Sequence, residues 1–178
     1  FPKGWFRIVI CNSGVKRGLD NSAYNDRRRA CEQGVQKLSV ATGKEIQSLR
    51  DVDRKFLEFH RNALPDLVFR RCLHVLTENE RTCMGVGLLK RRKLKEFGAL
   101  MDHSHISLRD YYEVSSPELD LLVEIARNVS GVLGSRMTGA GFGGCTVNLV
   151  EDSAVEGVEM EVKASYRDEI GLIPEIYV

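Results

Sequence analysis

The fold is constrained most strongly by the segment RMTGAGFGGCTV, which runs from Arg136 to Val147. Four of its glycines fall within six residues. Glycine loses much backbone entropy on folding, so such a cluster indicates positive φ angles or a close approach of the backbone to another group. The flanking residues, Ser135 to Thr138 and Gly144 to Val150, have the β-branched, alternating pattern of strands. The segment therefore predicts two strands joined by a glycine loop.

A dinucleotide-binding turn is the first alternative for this loop. Gly139, Gly141 and Gly144 match the G-x-G-x-x-G pattern of that turn. The turn must be followed by a helix, because the helix N-terminus holds the pyrophosphate. The run from Cys145 to Val150 predicts a strand instead. The context of the glycines therefore excludes a dinucleotide site of this type.

Further elements are predicted on both sides of the hairpin. A short strand is expected over Phe6 to Ile10, a last helix over Val155 to Ile170, and a final strand over Ile173 to Val178. Between the first strand and the hairpin, apolar residues recur mostly at helical spacing. The order of a strand, several helices, a hairpin, a helix and a strand predicts an α+β fold. Its helices should pack against a mostly antiparallel sheet.

Capping residues mark several predicted helices. The polar residues Asp20 to Ser22 precede a helix that extends to about Leu38, and Asp53 precedes a short one. Ser116, followed by proline and glutamate, begins another helix. Pro65 suits the first turn of a long helix, because its missing N–H would be unpaired there anyway. The buried stripe of that long helix is predicted to comprise Val68, Cys72, Val75, Leu76, Asn79, Cys83 and Val86.

Length and composition limit the class of protein. The 178 residues suit one domain, 1–178, and 43% hydrophobic with 29% charged residues is typical of a soluble globular protein. A net charge of +1 favours neither a nucleic-acid surface nor a membrane surface, and no apolar run is long enough to span a membrane. The cysteines lack metal-ligand spacing, so we expect small buried thiols in a reducing cytoplasm. They are Cys11, Cys31, Cys72, Cys83 and Cys145.

The glycine loop also resembles the third motif of the GHMP small-molecule kinases, in its galactokinase form. Other segments resemble galactokinase motifs and occur in galactokinase order. They are Val9–Ser13 followed by Ser22–Arg28, then Leu76–Asn79, Leu108–Asp110 and Tyr112–Ser115. The resemblance runs from about Pro2 to Val178, nearly the whole chain. Ordered motifs of this kind are far more specific than one glycine loop.

The resemblance implies a GHMP kinase C-terminal domain with a ferredoxin-like fold. In galactokinases the amino-terminal half carries the galactose signature, the phosphate loop, and the catalytic aspartate with its arginine, and nothing here matches them. We therefore expect the carboxy-terminal half of a galactokinase, whose full-length form transfers the γ-phosphate of ATP to the anomeric hydroxyl of galactose. ATP and Mg²⁺ should bind mainly to the amino-terminal half. The chain alone is expected to lack turnover and to self-associate through the apolar face that its partner domain would cover.

The resemblance also implies which residues of this chain line the active site. In galactokinases the tyrosine at the position of Tyr24 hydrogen-bonds a sugar hydroxyl, whereas by itself a tyrosine in a first helical turn is more often a half-buried packing residue. The preceding residue is usually glutamate and here is Ala23. The glycine loop would support the nucleotide-phosphate loop of the other half; by itself it would be a tight hairpin turn. Its residues are Thr138, Gly139, Ala140, Gly141, Phe142, Gly143 and Gly144, with Ala140 standing where galactokinases usually have glycine.

Other functions and other polar clusters stay open at this point. An N-acetylgalactosamine kinase, a non-catalytic sugar and ATP sensor, and a stand-alone binding module would share most of these motifs. His103 and His105 beside Asp102 mimic a metal or acid–base cluster, but their i, i+2 spacing favours an ordinary surface or helix-end pair. The basic run from Lys90 to Lys93 is interpreted as a solvated helix junction, because no wider basic face accompanies it.

Overall fold

A computed structural model describes residues 5–15 and 21–178 of the chain. The predicted cap residue Asp20 lies outside the described residues. The strands are β1 Phe6–Asn12, β2 Val132–Thr138, β3 Cys145–Glu151 and β4 Glu175–Tyr177. The helices are α1 Asn21–Thr42, α2 Arg54–Phe59, α3 Asp66–Lys90, α4 Leu94–Ser107, α5 Pro117–Asn128 and α6 Val155–Ile170. Short 3₁₀ turns cover Leu49–Asp51, Arg61–Ala63 and Asp152–Ala154, and a π-helical turn covers Leu108–Tyr112.

The described strands form one antiparallel sheet in the order β2-β3-β1-β4. β3 pairs along its whole length with β1, from Phe6 opposite Glu151 to Asn12 opposite Cys145. The hairpin partner β2 pairs with the other edge of β3, with Met137 opposite Thr146. The predicted α+β fold, with helices on a mostly antiparallel sheet, is confirmed.

Two main clusters of buried side chains hold the layers together. In the first, α5 and α6 cover the sheet, and Leu122, Val158 and Tyr166 are fully buried there. In the second, α1 packs on α3 around Leu38 and Cys72. Burial of an apolar side chain of this size contributes roughly 1.5–3 kcal/mol, so each cluster stabilises its own group of helices.

Helix α4 lies unusually close to strand β2. A Cβ atom placed on Gly98 would stand 1.9 Å from the backbone oxygen of Leu133, and one on Gly134 would stand 2.2 Å from the backbone oxygen of Gly98. No real Cβ tolerates such distances, so both positions require glycine. These two glycines let the helix backbone contact the strand backbone directly.

The predicted element boundaries agree closely with the structure. The Asp53 and Ser116 side chains cap α2 and α5, accepting hydrogen bonds from the N–H groups of Phe56 and Leu119. Pro65 is itself the N-cap of α3 rather than its first residue. The first helix continues to Thr42, four residues beyond the predicted end, and the last strand is limited to Glu175–Tyr177.

The predicted buried stripe of α3 is wrong at its C-terminal end. Asn79 and Cys83 are exposed, and Val86 is 50% exposed. The buried residue of this turn is Gly85, because α4 places Phe97 against it. The prediction of five buried thiols is also wrong, since Cys31 and Cys145 are only partly buried and Cys11 and Cys72 alone are buried.

Within residues 5–15 and 21–178, every helix is too short or too polar to cross a bilayer.

Candidate active site

Tyr24 lies in the first turn of α1 and is 61% exposed. Its ring borders an open groove of about 970 Å³ between α1, α3 and the segment 46–50. Tyr112 and Cys31 line the same groove. The exposure of Tyr24 does not fit a half-buried packing role and leaves the hydroxyl accessible to a ligand.

The glycine loop has a strongly constrained backbone. Gly139, Gly141 and Gly144 have φ angles of +83°, +89° and +88°. Phe142 is also in the left-handed region, with a φ of +60°. Ala140 lies outside that region, which explains how the loop tolerates a methyl group there. The loop is therefore more than a short hairpin turn, since its consecutive left-handed residues give it a fixed, folded shape.

Backbone contacts attach this loop to its surroundings. The Phe142 N–H donates to the Val114 carbonyl oxygen at 2.7 Å, and a Cβ on Gly141 would stand 2.0 Å from that oxygen. On the other side the Ser13 N–H donates to the Gly144 oxygen at 2.8 Å. The loop is thus held between the end of β1 and the turn at Val114.

Arg27 connects the Tyr24 helix to the glycine loop. Its guanidinium donates to the backbone oxygens of Tyr112 at 3.1 Å and Glu113 at 2.6 Å. It also lies over the Phe142 ring, 5.5 Å from the centroid. Arg27 follows Tyr24 by one helical turn, so the two predicted site elements are joined through a single side chain. The sequence pattern does not distinguish Arg27 from its neighbours Arg28 and Arg29, although Arg27 lies within the segment that resembles galactokinases.

A second arginine, on α3, binds the same turn. Arg71 on α3 is only 3% exposed, and it donates to the Tyr111 oxygen and, at 2.7 Å, to the Glu113 carboxylate. The Arg71 hydrogen bond, with the charge of Arg70 nearby, holds the pKa of Glu113 below its usual value. Glu113 itself has a left-handed backbone, φ +53°. Paired charges of this kind stabilise a strained turn that has no regular backbone ladder.

The histidines differ from their predicted arrangement. His103 is exposed, as expected of a surface residue, but His105 is 1% exposed and hydrogen-bonded on both ring nitrogens. His105 lies in the last turn of α4, as a helix-end histidine should, but the surface alternative is wrong for it because its ring is buried. The i, i+2 spacing places the two rings on different faces of α4, and the face that carries His105 is turned toward β2.

His74 is buried beneath the groove. Its Nδ1 is hydrogen-bonded to the Ser107 hydroxyl at 2.9 Å, and its ring stacks on Tyr112 at 4.3 Å between centroids. Burial lowers the pKa of His74 to about 4, and the charges of Arg81 and Arg136 act in the same direction. The Glu78 carboxylate acts in the opposite direction but is itself bonded by Ser104 and Arg81. The imidazole is neutral at pH 7.

This burial predicts a loss of stability in mild acid. An unfolded histidine titrates near pH 6.5, so between that pH and about 4 only the unfolded chain takes up the proton. The stabilisation is fully present above pH 6.5 and is lost as the pH falls, up to about 3 kcal/mol. Urea unfolding of the chain at a series of pH values should show this slope.

The control for this prediction removes the titration and keeps the hydrogen bond. His74→Asn places an oxygen near the position of Nδ1, where it can still bond Ser107, so its stability should be flatter between pH 6.5 and 4. His103→Asn, at the exposed histidine of the next helix, should keep the wild-type slope. Equal slopes in wild type and His74→Asn would contradict the prediction.

Known proteins resemble this chain in sequence. The family model described as "GHMP kinases C terminal" matches residues 86–168. A galactokinase of Clostridium acetobutylicum is 45% identical over 97% of this chain, and one of Bos taurus is 48% identical over 89%. The chain carries a GHMP kinase C-terminal domain. The two sequence relatives named above are galactokinases.

Solved structures agree with this assignment. A Lactococcus lactis galactokinase complexed with galactose matches 97% of this chain with a TM-score of 0.91 and 35% identity. A mevalonate kinase of L. major matches with a TM-score of 0.62 at 19% identity, which shows the shared fold alone. The chain spans 44% of the length of the Clostridium acetobutylicum and Lactococcus lactis galactokinases.

Proposed function

We propose that this GHMP domain is the C-terminal half of a galactokinase, which transfers the γ-phosphate of ATP to the anomeric hydroxyl of galactose. The observation that carries the proposal is the likeness to galactokinases along nearly the whole chain, in sequence and in structure. One structural relative is a galactokinase complexed with galactose. Phosphoryl transfer depends mainly on positioning the reactants and stabilising charge, which suits a domain that contributes a rigid cleft wall.

In this proposal the two site elements have separate tasks. Tyr24 donates or accepts a hydrogen bond at a sugar hydroxyl, with its exposed ring beside the sugar. The glycine loop supports the nucleotide side of the cleft through its exposed part, Thr138 to Ala140. Arg27 holds the two elements at a fixed distance through the turn at Tyr112 and Glu113.

ATP and Mg²⁺ are assigned mainly to the amino-terminal half that galactokinases have. The described loop fits a supporting role, because a Cβ at Gly139 or Gly144 would meet no atom of residues 5–15 and 21–178 within 4 Å. Space of this kind on one side of the loop lets a phosphate or the loop that holds it approach the backbone. Mg²⁺ would neutralise charge on the transferred phosphoryl group.

The proposal is tested with the full-length protein that contains this chain. A coupled assay should show ATP consumption that depends on galactose. Consumption with N-acetylgalactosamine in preference to galactose would assign a different sugar kinase. Saturable binding of galactose and ATP without turnover would assign a sensor. Neither binding nor turnover with either sugar would reject the proposal.

Substitution of Tyr24 by phenylalanine should weaken galactose use selectively. The change removes one hydroxyl and keeps the ring, so a single neutral hydrogen bond of about 0.5–1.5 kcal/mol is lost. The Michaelis constant for galactose should rise by roughly two- to tenfold. The constant for ATP and the melting temperature should change little, because the ring is exposed and no cavity forms.

A matched control is available on the last strand. Tyr177 on β4 is also exposed, and its hydroxyl bonds only Glu175 in the described structure. Tyr177→Phe should leave both Michaelis constants unchanged. An unchanged galactose constant in Tyr24→Phe would remove Tyr24 from the sugar site.

A further inference from the structure

The strand that leads into the glycine loop is an edge strand of the described sheet. β2 pairs with β3 on one side only. In an antiparallel strand, alternate N–H groups point away from the partner and need another acceptor. On β2 these are the N–H groups of Ser135 and Met137, immediately before the loop.

Helix α4 supplies both acceptors with side chains. The Asp102 carboxylate accepts from the Ser135 N–H at 2.8 Å, and His105 Nδ1 accepts from the Met137 N–H at 3.2 Å. Arg127 on α5 completes the edge by donating to the Ser135 oxygen at 3.0 Å and to Asp102 at 2.7 Å. The side chains of α4 thus accept the N–H groups that a further strand would otherwise bind, and the backbone contact at Gly98 holds the helix against this edge.

The hydrogen bonds of His105 fix its tautomer. Because Nδ1 accepts a hydrogen bond, a ring proton lies on Nε2, which stands 3.2 Å from Asp120 Oδ1. The same carboxylate oxygen accepts from the Ser115 hydroxyl at 2.5 Å. Burial alone would raise the pKa of Asp120, but the hydrogen bonds from His105 and Ser115 outweigh it, so the pKa is lowered.

Met137 connects the hydrogen bond of His105 to the residues that hold the glycine loop. Its side chain is fully buried in a cluster with Leu108, Val114 and Leu119. The carbonyl of Val114 in turn accepts the Phe142 N–H. The first and middle parts of the loop are thus attached to the same cluster, and His105 holds the strand end from which the loop departs.

We infer that His105 is a positioning residue for the proposed phosphoryl transfer: its Nδ1, by accepting the Met137 N–H, fixes the direction in which β2 enters the glycine loop. This inference rests on the proposed galactokinase activity. His105 is buried and bonds the backbone N–H of Met137, so it acts through the backbone. Without this acceptor the edge N–H must turn toward another partner, and the loop moves with it. Misplacement of a site element by about 1 Å can lower a rate by on the order of a hundredfold.

Two neutral substitutions separate the two hydrogen bonds of the ring. In His105→Asn the side-chain oxygen takes the place of Nδ1 and can accept from Met137, while the bond to Asp120 is lost. In His105→Gln the amide nitrogen takes the place of Nε2 and can donate to Asp120, while the acceptor for Met137 is displaced. Each variant loses one hydrogen bond, so a purely structural role predicts similar melting temperatures and similar kinetics.

The full-length protein is assayed at a temperature below the melting points of both variants. The inference predicts kcat close to wild type in His105→Asn and lowered by on the order of ten- to a hundredfold in His105→Gln. The Michaelis constant for galactose should be unchanged in both, because Tyr24 lies on another element. Equal kcat in the two variants, a larger loss in His105→Asn, or failure of both to fold would overturn the inference.

Hydrogen exchange gives a measurement that does not depend on activity. In the same full-length protein, peptides covering 136–142 should exchange faster in His105→Gln than in wild type and stay protected in His105→Asn. If the wild-type protein lacks galactose-dependent turnover but this difference is seen, the proposed function fails and the positioning role of His105 stands. Equal protection in both variants would overturn the positioning role.

Discussion

Gly141→Ala should destabilise the chain by about 2–4 kcal/mol and abolish most activity of the full-length protein. Gly141 has φ +89°, where an alanine costs roughly 1–2 kcal/mol by itself. Its Cβ would also stand 2.0 Å from the Val114 carbonyl oxygen, which is backbone and cannot rotate away. The loop must shift, and the Phe142 hydrogen bond to the same oxygen is lost, which adds about 1 kcal/mol.

Gly139→Ala is the matched control for this effect. Gly139 has nearly the same φ, +83°, but a Cβ there would meet no atom of the described residues within 4 Å. Only the conformational cost of about 1–2 kcal/mol applies. Urea unfolding and kcat should therefore place Gly139→Ala between wild type and Gly141→Ala. Equal losses in the two variants would mean that φ alone determines the effect and that the contact with Val114 contributes nothing.

The fold could be predicted from the sequence because its strongest signals are local. Caps at Asp53 and Ser116, strand alternation around the glycine loop, and helical spacing all depend on neighbouring residues, and the structure confirms them. The order of elements then leaves few ways to build the sheet. The candidate site could be predicted only through the resemblance to galactokinases, because neither a tyrosine in a first helical turn nor a glycine hairpin is specific by itself.

The connections between these elements could not be predicted from local pattern. Arg27, Arg71 and His105 act across long sequence separations, Arg27 and Arg71 on the turn before α5 and His105 on the edge of β2. Arginine and histidine on a helix look the same in sequence whether they face solvent or a buried carbonyl. The prediction of the buried residues at the end of α3 was wrong for a related reason, because the packing of Phe97 on Gly85 decides which face is buried.

Of the substitutions that add one methyl group to α4, Gly98→Ala should destabilise the protein most. The added Cβ would stand 1.9 Å from the Leu133 oxygen and 2.4 Å from its carbonyl carbon, both backbone atoms of β2. Helix and strand must separate, so the bonds of Asp102 and His105 to the strand edge are weakened together. We expect the free energy of unfolding to fall by about 4 kcal/mol, as it does when a protein core is disrupted. The kcat of the full-length protein should fall as well.

The control for this change is the same substitution in the neighbouring helix. At Gly87 in α3 the nearest atom to a new Cβ is Nη2 of the flexible Arg91 side chain, 3.5 Å away. Alanine is the better helix former there, so Gly87→Ala should stabilise the chain by about 0.5–1 kcal/mol. Thermal unfolding of the two variants should therefore shift in opposite directions. A melting temperature for Gly98→Ala near that of wild type would show that α4 can move without loss. The edge of β2 would then not depend on its contact with the helix.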